Sequence, residues 1–198
     1  MTAVTLPRLP APRDSKWTEL DFGGSVQGSI GGSSQRINRL GNRWQVEIVL
    51  PTMDLALARS WSQKLLRGRR KGILWPVRQM GIVTGSPGAP VVNSSEEAGD
   101  QLRLRGLQPG YVLRTGQAFS LVTGGRRYIY KVAEPQRADA SGRAVVEINP
   151  PLRAEPMDGD AVEIARPFLQ GMVEDMPADV DTPSHLTGGF TFTIAEQR

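Results

Sequence analysis

Between residues 102 and 164 the chain repeats one pattern, in which a short run of alternating apolar and polar residues is followed by turn-forming residues. A period of two places every second side chain on one face of a β-strand, so each run indicates a strand with a single buried face. Four or five such strands separated by turns predict a small β-meander or β-barrel. The apolar positions are Leu102/Leu104, Phe119/Leu121, Tyr128/Tyr130/Val132, Ala144/Val146/Ile148 and, more weakly, Val162/Ile164.

The residues between these runs have the chemistry of turns. They are Gln-Pro-Gly, Thr-Gly-Gly, Asp-Ala-Ser-Gly and Met-Asp-Gly-Asp, and Gly124 with Gly125 is placed to close a tight hairpin. The chain's 22 glycines and 15 prolines lie at turn positions rather than in one tract, which favours a β-rich fold over disorder. Nothing in this segment has the pattern of a reaction centre.

The first 80 residues predict a hairpin, a helix and a further strand. Alternation in residues 44–50, together with an interrupted alternation in residues 17–30, indicates two strands joined by a long loop. Thr52 is the expected N-cap of the helix and Gly68 its expected C′ residue. A short strand is expected at residues 73–77. The apolar stripe of the helix is Leu57, Ala58, Trp61 and Leu65.

The order of these elements predicts a mainly β, discontinuous organisation. Residues 1–16, which are rich in proline, are expected to form an extended N-terminal arm, either as a disordered tail or ordered against a neighbouring subunit. Residues 80–100 lack periodicity and predict a linker or loop. The alternating C-terminal run around Phe192 is expected to pair with the sheet of the first 80 residues. Residues 17–80 and 166–198 would then form one domain, with residues 81–165 as an inserted β module.

Charge is divided unevenly along the chain. Residues 36–78 contain ten cations and two anions, a net charge of +8, whereas residues 155–181 contain eight anions and one cation, a net charge of −7. Such a chain can pair its own ends or associate head to tail with copies of itself. The expected subunit-interface residues are Arg67, Arg69, Arg70, Lys71, Glu174, Asp175, Asp179 and Asp181.

The arginine-rich end of the helix has three interpretations. It could contact the phosphates of a nucleic acid, it could meet the acidic C-terminal segment of a neighbouring subunit, or it could be a solvated helix end. The tyrosines that could stack on bases, Tyr128 and Tyr130, share a strand face with Val132, and core packing explains them at least as well.

Residue types needed for catalysis are scarce. The chain has no cysteine, which excludes disulfides and thiolate sites, and its single histidine, His185, lies in a proline-rich loop without a nucleophile elbow. Asp158 and Asp160 lack the ligand spacing of a calcium loop, so a β-turn is expected there. No catalytic residue, cofactor or metal is expected. No apolar run is long enough for a membrane span, and the N-terminus lacks the apolar core of a secretory signal.

Seven short motifs occur in a fixed order along the chain. They are GILWP at residues 72–76, GLQPG at 106–110, GQAF at 116–119, YKV at 130–132, ADASG at 138–142, NPPLR at 149–153 and DGDAV at 158–162. The order of the six motifs between residues 106 and 162 resembles a module of tailed-bacteriophage structural proteins. The strand at residues 73–76 and the helix before it resemble the belt domain of the distal tail protein family, and the resemblance covers most of the chain from Trp17 onward.

The resemblance implies a split-barrel-like belt domain with one α-helix, carrying a small β-barrel or meander. In that family the belt domain forms a six-fold ring at the distal end of the tail tube and connects the tube to the tip or baseplate. The implied partners are further copies in a hexameric ring, the tail tube protein and the tail-tip hub proteins. The implied location is the virion, and the host cytoplasm during assembly. A related minor tail protein, or a single-stranded nucleic-acid-binding β-barrel, is the alternative.

Overall fold

The computed structural model describes residues 3–7, 9–27, 33–37, 39, 41–94, 97–176, 186–187, 189 and 191–197. These residues form a mainly β fold with one α-helix and a closed six-stranded barrel, which confirms the predicted fold class. Up to residue 76 the elements are β1 (Val4–Thr5), β2 (Asp14–Leu20), β3 (Gly24–Gln27), β4 (Ser34–Ile37), β5 (Arg43–Val49), β6 (Met53–Asp54), α1 (Leu55–Lys71) and β7 (Ile73–Pro76).

The remaining elements are all strands. The middle of the chain forms β8 (Gly88–Val92), β9 (Gln101–Leu107), β10 (Val112–Leu113), β11 (Ala118–Thr123), β12 (Arg126–Val132), β13 (Gln136–Arg137), β14 (Ala144–Asn149) and β15 (Ala161–Glu163). The C-terminal strands are β16 (Phe168–Val173), β17 (Leu186–Thr187) and β18 (Thr191–Glu196).

One six-stranded sheet combines strands from both ends of the chain, in the order β1-β7-β16-β18-β5-β2. The expected pairing of the final strand with the sheet of the first 80 residues is confirmed, because β18 lies antiparallel to β5 and to β16. The expected hairpin is also present as the β2–β5 pair, with Trp17 opposite Val46. Its long connection contains a second, two-stranded hairpin of β3 and β4.

The closed barrel has the strand order β11-β12-β14-β9-β8-β15 and contains all five predicted runs. Gly124 and Gly125 close the predicted hairpin between β11 and β12, with Thr123 opposite Arg126. The expected linker at residues 80–100 is wrong in part, because β8 is a barrel strand. The sequence of β8 contains Gly88 and Pro90, which interrupt the apolar–polar alternation expected of a strand. Both residues lie at an irregularity where the register of β8 against β9 shifts between Gly88 and Val91.

The predicted helix is present, but both of its ends differ from the expectation. The N-cap is Asp54 rather than Thr52, and an Asp54 carboxylate oxygen accepts a hydrogen bond of 2.8 Å from Leu57 N. The chain is still extended at Met53 because β6 pairs with β17. The helix continues through Gly68 to Lys71. Gly68 is buried in a close packing contact instead of ending the helix.

Replacing Asp54 by alanine is expected to lower the free energy of unfolding by about 1 kcal/mol, because the first turn of α1 loses a side-chain acceptor. Thr52→Ala is the matched control and should change stability by less than about 0.5 kcal/mol. Urea unfolding followed by circular dichroism measures both variants. An equal loss in the two variants would contradict the assignment of the cap.

The N-terminal segment is not a free arm. Val4 and Thr5 pair in parallel with β7, and Leu6 is buried in the core beside α1. The indole Nε1 of Trp61 donates a hydrogen bond of 3.1 Å to the Leu9 carbonyl. Residues 14–16 belong to β2. The described part of residues 1–16 therefore packs against the sheet and helix of the same chain. The sequence did not predict this packing, because the apolar residues of this segment are scattered and follow no periodic pattern.

Two apolar cores meet where the barrel contacts the sheet. One lies between the sheet and α1 and contains Trp61, Ile48 and Phe192. The other fills the barrel and contains Phe119 and Leu104. Strand β12 contributes to both cores, because its Tyr130 packs inside the barrel while its Ile129 belongs to the core of the sheet. This strand therefore positions the barrel on the sheet.

Candidate functional site

The surface of α1 is strongly cationic. Cations in the last turn suit the negative end of the helix dipole, so the cluster is compatible with a stable helix. The helix has no acidic side chain, and its six cations are Arg59, Lys64, Arg67, Arg69, Arg70 and Lys71. None of these six side chains forms an ion pair with a residue that the structure describes.

The predicted acidic residues Glu174 and Asp175 follow β16 directly, and both are exposed. Their backbone stays paired with β18, since Glu174 N donates to the Thr193 carbonyl and Thr193 N donates to the Asp175 carbonyl, each at 3.0 Å. The end of β16 lies under the last turn of α1, where a Cβ placed on Gly68 would be 3.4 Å from Val173 Cγ2. The acidic pair and the cationic turn therefore lie at the same end of the sheet.

The described interface residues therefore form a surface of mixed charge at one end of the sheet. Within the described ranges no ion pair joins the two groups. The other two predicted residues, Asp179 and Asp181, lie outside the described residues, as does His185. The role of these eight residues in a subunit interface stays a prediction.

Three cations on the outside of the barrel, Arg103, Arg105 and Arg127, form ion pairs within the chain. Arg127 forms a bidentate ion pair with Glu163, in which both N–O distances are 2.9 Å. Arg105 pairs with Asp158 in the Met-Asp-Gly-Asp turn, and this contact lowers the pKa of the Asp158 carboxyl. The turn expected at Asp158 is confirmed, and the carboxylate in it binds an arginine of the barrel.

A buried carboxylate joins the sheet to the barrel. Glu196, the last residue of β18, accepts hydrogen bonds from Trp44 N in the sheet at 3.2 Å and from Ile129 N in the barrel at 2.6 Å. It also pairs with the guanidinium of Arg153, which follows β14 and is itself buried. Burial raises the pKa of the Glu196 carboxyl, and the positive charge of Arg153 lowers it in part.

The arginine in this pair is held against two aromatic rings. The Arg153 guanidinium carbon lies 5.2 Å from the ring centre of Tyr128 and 5.7 Å from that of Tyr130. Its Nε and Nη1 are buried and have no hydrogen-bond partner among the described residues, so the aromatic faces provide electrostatic compensation for these two nitrogens. We name the Glu196–Arg153 pair, with the two tyrosines, the junction cluster.

Further polar contacts fix the barrel on the sheet. The Ser120 hydroxyl of β11 accepts a hydrogen bond of 2.6 Å from Phe168 N and donates one of 2.9 Å to the Phe168 carbonyl. Lys131 Nζ lies 3.7 Å from the ring centre of Trp44, and burial lowers the pKa of this amine. Directional contacts of this kind hold one relative orientation of sheet and barrel.

The junction cluster was not predicted, although the sequence contains one signal for it. Phe192 and Ile194 alternate on the buried face of β18, and the same period of two places Glu196 on that face. A carboxylate at a core position requires a partner, which identifies Glu196 as a buried polar site. The sequence does not identify Arg153 as the partner, since the pairing depends on how the barrel docks.

No protein-family model matches the sequence, and a search of curated proteins finds no match. Within the described residues, no helix is both long and apolar enough to cross a membrane.

Proposed function

We propose that this protein is a structural component of a bacteriophage tail. It assembles with copies of itself into a ring, hexameric as in the distal tail proteins it resembles, at the distal end of the tail tube. The ring connects the tube to the tip or baseplate, so its partners are the tube protein and the tip hub proteins. The protein acts by binding, without a catalytic site or a cofactor, and it is located in the virion after assembly in the host cytoplasm.

The observation that carries this proposal is the arrangement of the fold. A sheet made from both ends of the chain carries a barrel between its strands. The barrel segment contains six of the seven motifs in which the resemblance lies, and the seventh, GILWP at residues 72–76, lies in the sheet. Gly106, Gly110 and Gly116 of those motifs adopt positive φ angles at bends of the barrel segment. The junction cluster supports the proposal further, because a ring subunit must present its binding surfaces in a fixed relation.

Native mass spectrometry of the purified full chain tests the assembly. We expect a closed oligomer of defined size, with hexamers dominant, either alone or after addition of the tail tube protein. The expectation follows from head-to-tail contacts, which generate rings when the rotation between subunits closes. Monomers at every protein concentration, with and without the tube protein, would contradict the proposal.

A second candidate is a single-stranded nucleic-acid-binding protein, which the cationic surface of α1 favours. The barrel gives this candidate little support, because Tyr130 is fully buried and packs on Phe119 inside the core. Three barrel arginines, Arg103, Arg105 and Arg127, are already in ion pairs. Binding to a labelled single-stranded oligonucleotide that weakens steeply as salt is raised would favour this function over the ring.

A further inference from the structure

A groove lies where the sheet, the N-terminal segment and the barrel meet, and its volume is about 730 Å³. Its floor is apolar and includes Leu6, Trp75 and Phe168. Both chain segments that connect the sheet to the barrel contribute to its walls, through Val77 and Pro167. The volume lies in the range of pockets that enclose drug-sized ligands, which is large enough to receive an exposed side chain.

The rim of the groove is cationic. Arg78 and Arg166 are exposed, and neither forms an ion pair among the residues that the structure describes. A third arginine in the wall, Arg127, is already neutralised by Glu163. Within the described part of the chain no acidic residue lines the groove, and the two rim arginines there have no ion-pair partner. An apolar side chain flanked by carboxylates is the complement of this surface.

The turn between β14 and β15 has that chemistry. Met157 is 61% exposed although it is apolar. Glu155 on one side of it is exposed and forms no ion pair among the described residues, while Asp160 accepts a hydrogen bond of 2.8 Å from Met157 N. Asp158 is paired with Arg105, so Glu155 and Asp160 are the two carboxylates beside the methionine that form no ion pair with any described residue. Methionine is flexible and polarizable, which suits it to fill an irregular apolar groove.

Other exposed apolar side chains do not match the groove in this way. Leu9, Met80 and Val83 lie within or shortly after chain segments that line the groove, so they belong to the groove side of the contact and not to its complement. Val112 and Val145 are also exposed, but each has an arginine or another apolar residue beside it in the strand and no carboxylate flanking it on both sides.

The turn and the groove lie at opposite ends of one short strand. The turn residues 155–160 precede β15, and the groove residues 165–168 follow it. An extended strand rises about 3.3 Å per residue, so the three residues of β15 alone place the turn about 7 Å or more from the groove residues that follow the strand. The turn therefore cannot enter its own groove without dismantling β15, whereas it can enter the groove of another copy.

We propose that the Met157 turn of one copy inserts into the groove between the sheet and the barrel of the next copy. Met157 packs on the apolar floor, and Glu155 and Asp160 face Arg78 and Arg166 of the partner subunit. Because turn and groove are different surfaces of the chain, the contact is head to tail and repeats from copy to copy. The inference rests on the proposed ring function and names the contact that builds the ring.

Cysteine crosslinking tests this contact in the full chain, which contains no cysteine of its own. The double variant Met157→Cys/Arg166→Cys is expected to form a ladder of covalently linked copies under mild oxidation. A disulfide needs Cα atoms within about 7 Å, and one that formed within a single chain would not link copies, so a ladder reports a contact between copies. Met157→Cys/Arg143→Cys is the matched control, because Arg143 is exposed on the barrel outside the groove, and it should give no ladder.

Charge reversal tests the same contact without crosslinking. Arg78→Glu/Arg166→Glu reverses the rim, Glu155→Lys/Met157→Lys reverses the turn, and each variant alone should associate at least about tenfold more weakly than the wild type. Mixing the two variants should restore assembly, because each groove again meets a turn of opposite charge. Arg137→Glu/Arg143→Glu, which changes exposed barrel arginines outside the groove, should assemble normally.

The outcomes separate the contact from the proposed function. Rings that persist in both reversed variants, without a cysteine ladder, would overturn the contact and leave the ring function in place. A ladder and charge-dependent association in a protein that forms no closed ring would support the contact and contradict the ring. Failure of the mixture to reassemble, with both variants folded by circular dichroism, would overturn the pairing of turn and groove.

Discussion

Replacing Arg153 by alanine is expected to lower the free energy of unfolding by about 3 kcal/mol. The substitution leaves the Glu196 carboxylate buried beside the Trp44 and Ile129 amides without a counter-charge, and breaking a buried pair in this way costs about 3–5 kcal/mol. The lower end of that range applies because the change also removes two buried guanidinium nitrogens that have no hydrogen-bond partner in the part of the chain that the structure describes. Denaturant unfolding measures the difference, and Arg143→Ala on the exposed barrel surface is the control.

The difference in the free energy of unfolding between Arg153→Ala and the wild type should shrink as the pH falls. Burial already raises the pKa of the Glu196 carboxyl, and loss of the Arg153 charge raises it further. The folded variant therefore binds a proton at a higher pH than the folded wild type does, so lowering the pH stabilises the variant relative to the wild type. A stability difference that stays constant between neutral and mildly acidic pH, or one no larger than that of Arg143→Ala, would contradict the role assigned to the junction cluster.

Gly106→Ala is expected to cost about 3 kcal/mol, which is the second large effect. Gly106 has a φ of 80°, a conformation that costs L-residues about 1–2 kcal/mol. A Cβ at this position would also lie 2.6 Å from the Ala89 carbonyl oxygen, because β8 and β9 approach each other at the irregular pairing. Displacing backbone in a packed barrel adds about 1–3 kcal/mol.

Gly110 of the same GLQPG motif provides the control for this variant. It has a similar φ of 75° but no atom within 4 Å of the Cβ position, so Gly110→Ala should cost only about 1 kcal/mol. Thermal unfolding of the two variants separates the cost of the backbone conformation from the cost of the close approach. Equal losses would show that the contact between β8 and β9 does not constrain Gly106.

Sequence patterns predicted the barrel well because its strands have one buried face each. The alternation at residues 144–148, for example, appears in the structure as alternate buried and exposed residues of β14. The hairpin at Gly124 and Gly125 was predictable for a local reason, since both residues have positive φ angles. Strand β8 was missed because Pro90 and two glycines at residues 85 and 88 carry turn signals inside or beside a strand.

The ends of α1 show where local signals fail. Thr52 is an acceptable cap by composition, but the pairing of β6 with β17 keeps the chain extended for two more residues. Gly68 has the composition of a helix end, yet tertiary packing uses its missing side chain to bring Ile73 and Val173 close. Both corrections come from contacts with residues more than 100 positions away or beyond the helix, which a local pattern does not contain.

The candidate site was the least predictable part of the molecule, because it depends on contacts between distant segments. The sequence contains a cationic helix and an acidic C-terminal region, but only the contact of Val173 with Gly68 brings Glu174 close to the cationic turn. The groove joins residues near positions 6, 75 and 167, and its complement at Met157 is visible only when exposure is known. Complementary surfaces at two ends of β15 are therefore a property of the fold rather than of any one segment.

Cryo-electron microscopy of the full chain assembled with its tail tube protein tests the central claim most directly. The proposal predicts a closed ring of copies that caps the end of the tube, with neighbouring copies related by one rotation about the tube axis. Tubes whose ends lack the protein, together with a protein that remains a monomer in the same sample, would contradict it.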